Sequence, residues 1–239
     1  MAIFISGKNP VRESIRAGQA TKILAASRMA KDPLLAEASK AGLPIEFVDE
    51  GKLTSMAKAQ NHQGILAICK EIRTYSLEEI ISSCKNKPYP LLLILDGIED
   101  PHNLGAILRS CDAFGIDGII MKKRGEVQLN PTVAKVSTGA IHYVKTAVVS
   151  NLSAAIDTLK KNGFWIVSSD GSGTQSYSDV DYKCPICVVV GSEGFGISRL
   201  VLKNSDFVVK IPMVGHVNSL NASVATGILL SEVFLSRQK

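Results

Sequence analysis

The stretch Leu91-Leu-Leu-Ile-Leu-Asp96-Gly-Ile-Glu-Asp-Pro-His-Asn103-Leu-Gly-Ala-Ile-Leu-Arg109 decides the fold. Its first five residues are an unbroken apolar run of strand length, as in a strand buried on both faces. A polar turn follows, and the spacing then predicts a helix from about Asn103 to Phe114, with Leu104, Ile107, Leu108 and Cys111 as its apolar seam. Outward from here the alternation is regular. Strands are expected at Gly118–Met121, Tyr143–Val149, Trp165–Ser168, Pro185–Val190 and Phe207–Ile211. Helices are expected after Asn130-Pro131, after Asn151, near Ser198–Lys203, and from about Ser219 to the C-terminus. Strands alternating with helices in this way predict an α/β fold, a mostly parallel sheet with helices on both faces.

On the N-terminal side, Lys85-Asn-Lys-Pro-Tyr-Pro90 breaks the pattern, as two prolines must. Residues 71–90 read as a linker with one short helix, opened by the capping-box spacing of Ser76 and Glu79. Residues 1–70 read as a small α/β domain. Asn9-Pro10 and Asp32-Pro33 open helices, Gly18 and Gly42 stop them, and short apolar segments at 22–25, 45–48 and 64–68 supply strands. The loop Gln60-Asn-His-Gln-Gly64 is polar and offers several hydrogen bonds. Residues 91–239 form the second domain.

With 46% apolar and 21% charged residues in 239, the composition excludes wholesale disorder. No apolar run approaches the roughly 18 residues that a bilayer span needs, and the first residues lack the features of a signal peptide. Five cysteines, an odd number in a chain too large to need disulfide staples, point to a reducing cytoplasm. The net charge of +5 is mild, but residues 1–70 carry ten Lys/Arg against six Asp/Glu. Charge of that size suits an ordinary solvated surface or, more sharply, a phosphate backbone. Cys184-Pro-Ile-Cys187 has no partner pair, and the four histidines lack metal-ligand spacing, so no metal is expected.

Ligands of such sheets bind outside the carboxyl ends of strands, and three of those ends are conspicuous. The first carries Asn103, either a plain helix cap or a functional amide, and Arg109, six residues on and expected on about the same face. An arginine on the apolar seam would require an anionic partner. The second, Gly191-Ser-Glu-Gly-Phe-Gly196, fits neither the dinucleotide nor the phosphate-loop glycine pattern; a tight turn is the bland reading, but Glu193 within it can meet a ribose, a base edge or Arg109. The third, Ile211-Pro-Met-Val-Gly-His-Val-Asn-Ser219-Leu-Asn-Ala-Ser223, ends at a helix N-terminus dense in polar side chains, with Ser219 as a cap or more.

Taken together, in order and spacing, these three segments resemble the motifs of the SpoU (TrmH-like) RNA 2′-O-ribose methyltransferases. The resemblance covers the whole chain, with residues 1–70 similar to that family's RNA-binding domain. It implies a SPOUT-type parallel sheet with a C-terminal trefoil knot, against the usual rule that connections stay unknotted. It also implies S-adenosylmethionine as methyl donor, a homodimer that completes the active site, and RNA rather than DNA or a membrane as partner. Carried over by position, Gly191, Ile211 and Leu220 would contact the cofactor, and Asn103, Arg109, Glu193, Ser219 and Asn221 would line the catalytic side. The Asp96–Asn103 segment is most similar to members that methylate a guanosine in the peptidyl-transferase loop of 23S ribosomal RNA. Rival expectations are a sibling acting on tRNA or another ribosomal site, a non-catalytic ribosome-assembly factor, and a nucleotide-binding enzyme unrelated to RNA.

Overall fold

A computed structural model describes residues 3–57, 62–216 and 219–238. In chain order its elements are β1 (Ile3–Ser6), α1 (Lys8–Arg16), β2 (Ala20–Ala25), α2 (Pro33–Lys40), β3 (Ile45–Phe47), α3 (Glu50–Ala57), β4 (Ile65–Cys69), α4 (Leu77–Cys84), β5 (Leu91–Asp96), α5 (Pro101–Ala113), β6 (Gly118–Lys122), α6 (Pro131–Val136), β7 (Thr146–Val149), α7 (Leu152–Lys161), β8 (Trp165–Ser169), β9 (Gln175–Ser176), β10 (Ile186–Gly191), α8 (Arg199–Lys203), β11 (Phe207–Lys210) and α9 (Ala222–Ser236). They fall into two compact units, Met1–Ile72 with Leu129–Tyr143, and Arg73–Gln128 with Val144–Lys239.

The first unit is built on a sheet of order β1-β4-β2-β3, antiparallel except for the β2–β3 pair. Helix α2 opens as the sequence predicts, with the Asp32 carboxylate accepting the Leu34 N–H. Helix α1 does not. It starts at Lys8, and the side-chain oxygen of Gln63 accepts the Lys8 N–H at 2.7 Å, leaving Asn9 inside the first turn. His62 is buried; its Nδ1 accepts the Gly64 N–H, so Nε2 donates to Thr54 Oγ1. Both ring nitrogens of His62 and the side-chain oxygen of Gln63 are thus used within the fold, while Gln60 and Asn61 lie outside the described residues. Most of the unit's cations are also paired internally: Lys8 with Asp32, Arg12 with Glu37, Arg16 with Glu13, Lys22 and Lys52 with Glu46, and Arg28 with Glu50.

The segment 129–143, expected in the second domain, groups with this first unit. Asn130 caps α6 as predicted, and Gly139 (φ +102°) lies so close to α1 that a Cβ there would fall 2.1 Å from Glu13 Cβ.

The second unit holds a sheet of order β7-β6-β5-β10-β8-β11-β9 in which every pairing is parallel. Leu92, Leu93, Ile94 and Leu95 are fully buried, as an apolar run covered on both faces must be. Leu92 and Ile94 pack with α4, α7 and α8, whereas α5 and α9 pack on each other, with α9 also against β10. The stretch 71–90 is therefore no linker. The Ser76–Glu79 capping box forms, but it opens a helix whose Leu77, Ile80, Ile81 and Cys84 belong to the core of this unit. Ile80→Ala should accordingly lower the unfolding free energy by about 2–5 kcal/mol in urea titrations, whereas a side chain on a mere connector would cost almost nothing.

Candidate active site

Because β5, β10, β8 and β11 are neighbours in the sheet, their carboxyl ends deliver four loops side by side. The loop after β10 closes tightly. The Ser192 N–H donates to the Gly196 carbonyl (3.1 Å), the Gly196 N–H donates back to Ser192 (2.9 Å), and a Cβ on Gly191 would lie 2.2 Å from the Gly196 carbonyl carbon. It is a tight turn, and it presents Glu193 at its rim.

One oxygen of that carboxylate, Oε1, accepts three N–H groups: Asn103 Nδ2 at 2.9 Å, the Ala222 main chain at 3.2 Å, and Asn221 Nδ2. Asn221 Nδ2 also reaches Asn103 Oδ1 at 3.0 Å. The plain-cap reading of Asn103 fails, because Asp100 caps α5 with Pro101 at its first position. Ser219 is not a cap either. Helix α9 begins at Ala222, and Asn221 Oδ1 caps it by accepting the Ser223 and Val224 N–H groups.

Two cavities meet at this cluster. One is lined by Asp170, Gly171, Gly191, Ile211, Ser219 and Leu220, and the other by Glu99, Asp100, Asn103 and Phe195. Ser192, Glu193 and Ala222 wall both. Gly191, Glu193, Ile211, Ser219 and Leu220 thus share the first cavity, and Asn103 joins Glu193 at the second. Val217 and Asn218 of the third segment lie outside the described residues.

Arg109 is the exception. Six residues along a helix is a rotation of about 240° from Asn103, not a return to the same face. The seam of Leu104, Ile107, Leu108 and Cys111 is fully buried, while Arg109 is exposed, lines neither cavity and has no ion-pair partner among the described residues. Sequence reasoning also missed Asp170 and Phe195. Asp170-Gly-Ser-Gly173 lies one residue beyond the predicted strand Trp165–Ser168, so the strand-end rule applied there would have found Asp170.

The remaining cysteine readings are bland. All five thiols are free, and burial pushes the Cys187 thiol up and that of Cys69 to about 11, which makes both inert. Among the described residues no group of three or more His, Cys, Asp or Glu side chains is placed to hold a metal ion, and no helix is long and apolar enough to cross a membrane.

A parallel α/β sheet with two cavities joined at a carboxylate on a strand-end loop places a candidate ligand site at the carboxyl ends of its strands. The SpoU rRNA methylase family model matches residues 90–231, and a model for RNA 2′-O-ribose methyltransferase substrate binding matches residues 4–75. The chain belongs to the SpoU/TrmH family of RNA methyltransferases. A Staphylococcus epidermidis relative assigned to the TrmH family of tRNA/rRNA methyltransferases is 44% identical over 242 residues, covering 99% of this chain and 97% of the relative. The solved structure of an RNA 2′-O-ribose methyltransferase superposes with a TM-score of 0.82 at 27% identity, covering 100% of this chain and 90% of the other. The fold is likewise that of the SpoU methyltransferase AviRb from Streptomyces viridochromogenes in complex with AdoMet, with a TM-score of 0.84 at 22% identity over 100% of this chain and 91% of that one.

The glycine loop gives a direct test. Gly191→Ala places a methyl group against main chain that cannot yield, so the variant should lose about 1–3 kcal/mol of stability and the shape of the first cavity, measured by thermal unfolding and cofactor titration.

Proposed function

We propose that this chain transfers a methyl group from S-adenosylmethionine to a ribose 2′-oxygen of RNA. Its target is a guanosine of the peptidyl-transferase loop of 23S ribosomal RNA, as in the RlmB type, and it works as a cytoplasmic homodimer. The observation that carries this reading is the wall shared by the two cavities, with Glu193 standing between them; on this reading one cavity takes the methyl donor and the other the acceptor nucleotide.

The first cavity fits the cofactor chemically. Val190, Ile211, Met213, Leu220 and Ala225 offer apolar surface for an adenine, Gly191 lets main chain approach closely, and Asp170 offers a carboxylate for ribose hydroxyls or an ammonium group. When bound, S-adenosylmethionine supplies an electrophilic methyl group. The chain's own task is then to align the hydroxyl and remove its proton. Asn103, Asn221 and the Ala222 N–H fix Glu193 through Oε1, while Oε2 has no hydrogen-bond partner among the described residues and takes the 2′-hydroxyl proton through water. Arg109 acts as a cation that holds the adjacent phosphate and stabilises the developing alkoxide, since a guanidinium does not deprotonate in a protein.

A second copy of the chain accounts for where Arg109 sits. Helix α9 is predominantly apolar and leaves Val224, Phe234 and Leu235 exposed, a surface that suits burial against another copy. In such a dimer Arg109 of one protomer serves Glu193 of its partner. The order in which β8, β10 and β11 enter the sheet, with α9 returning to α5, supports a trefoil-knotted C-terminal segment. The substrate-binding match over residues 4–75 supports the first unit as the RNA-selecting module. Because its cations are mostly paired, selection there rests on shape and hydrogen bonding more than on net charge.

The deciding experiment is transfer of labelled methyl to unmodified 23S RNA, with unmodified tRNA alongside and the labelled nucleotide mapped. Label on a 2′-oxygen of the 23S peptidyl-transferase loop is expected; label on tRNA moves the target to the sibling reading, and no cofactor binding at all contradicts the proposal. Arg109→Ala should lower turnover about 100-fold with cofactor affinity nearly unchanged. Mixing protomers that carry Arg109→Ala with protomers that carry Glu193→Ala should restore activity, because each mixed dimer regains one intact site. Mixtures no more active than their parents would count against the shared site.

A further inference from the structure

The loops that carry Asn103 and Glu193 rest on a buried charged cluster that lines neither cavity. Asp96, only 3% exposed, closes β5. Its main-chain carbonyl accepts the Ser192 N–H at 3.0 Å and its Oδ2 accepts the Ser198 N–H at 2.8 Å, so one residue holds both ends of the loop bearing Glu193. Its Oδ1 pairs with Lys122 Nζ at 2.8 Å, at the end of β6. Glu126 completes the group, its side chain wholly enclosed. Glu126 Oε1 accepts the Gly97 N–H at 2.7 Å, and Oε2 accepts the Lys122 N–H at 2.8 Å. Gly97 (φ +87°) is the first residue of the turn that leads to Asn103.

We propose that Asp96, Lys122 and Glu126 are positioning residues for methyl transfer, and that the ionised carboxylate of Glu126 sets the 97–100 turn and, through it, the contact between Asn103 and Glu193. This rests on the function proposed above for its catalytic consequence, though not for the positioning itself. Two N–H groups converge on Glu126, one from the turn after β5 and one from β6, and only the ionised carboxylate accepts both at full strength; a protonated carboxyl turns one of its oxygens into a donor.

Burial pushes the Glu126 carboxyl up from its ordinary 4.5 to about 7, against the pull of the Gly97 and Lys122 N–H bonds and the Lys122 ammonium, with Asp96 adding a like charge. Burial would raise Asp96 as well, but its bonds from Lys122 and Ser198 outweigh this and hold it below the usual range. The charged groups facing Glu126 are thus Lys122 from β6 and Asp96 from β5; the Gln128 amide bonds the Lys122 and Glu126 main chain and not the carboxylate. For a carboxyl raised in the fold, the stabilising contribution is complete below the ordinary value and is lost as pH rises through about 7. Ionisation therefore orders the site at some expense in stability, and acidification through the same point loosens it.

The test is a pH titration of the full-length protein from about 5.5 to 8.5, followed by amide NMR, with Glu126→Gln alongside and methyl-transfer rates measured in the same buffers. In the unmodified protein the Gly97 and Lys122 N–H signals and the Asn103 side-chain amide should move together with one midpoint near 7. In Glu126→Gln all three should stay still, and the acid limb of the rate should vanish while cofactor affinity holds. The unmodified protein alone carries the first comparison, so a variant that fails to fold does not remove the test. Asn103 signals that ignore the midpoint of Gly97, or an acid limb unchanged in Glu126→Gln, would overturn the proposal. Asn103 signals that follow Glu126 in a protein that methylates no RNA would leave the positioning standing and count against the proposed function.

Discussion

A single carboxylate oxygen organises the candidate site. Glu193 Oε1 gathers N–H groups from Asn103, Asn221 and Ala222, which stand on two helices and reach it from opposite directions along the chain. Hydrogen bonds to a charged acceptor are stronger than those between neutral groups, and three of them on one oxygen tie the segments bearing Asn103, Glu193 and Asn221 together. This convergence requires β5 and β10 to be neighbours with their ends in register, and the pairing of Gly191 with Asp96 supplies that. The two cavities share a wall because the loops share a hub.

The second unit separates what makes it stable from what orders its site. Stability comes from the apolar strands and from α4, α7 and α8 packed on one face of the sheet. At the carboxyl ends of β5 and β6 the same sheet buries two carboxylates around one ammonium, an arrangement that hydrophobic residues of similar size would match or exceed in stability. The geometry explains why charge is kept there: Asp96 bonds both ends of the loop that bears Glu193, and Glu126 bonds the turn that leads to Asn103.

Legibility in the sequence followed the range of the interactions. Asp32, Ser76, Asn130 and Asn151 cap the helices they were expected to cap, because a cap bonds within three residues of itself. Asn9, Asn103 and Ser219 did not, since a better-placed group competed in each case: Gln63 from across the first unit, Asp100 before a proline, and Asn221 two residues on. The long apolar strands from Leu91 on were plain, whereas β1, β9 and α3 were not expected, the last because Gly51, Thr54 and Ser55 give it a weak local preference. Asn103, Glu193, Ser219 and Asn221 stood out because those strand ends are polar, whereas Gly191, Ile211 and Leu220 came only from the family resemblance. Arg109 was placed on the wrong face by treating a six-residue step as a full return. Glu126 was invisible because one of its backbone partners lies 29 residues away, at Gly97.

The most direct test of the account is a crystal structure with S-adenosylmethionine, or a stable analogue, soaked or co-crystallised at saturating concentration. The account predicts the ligand in the cavity lined by Gly191, Ile211 and Leu220, with the methyl-bearing end directed at the wall formed by Ser192, Glu193 and Ala222. A ligand bound elsewhere, or one whose methyl-bearing end points away from Glu193, would contradict it.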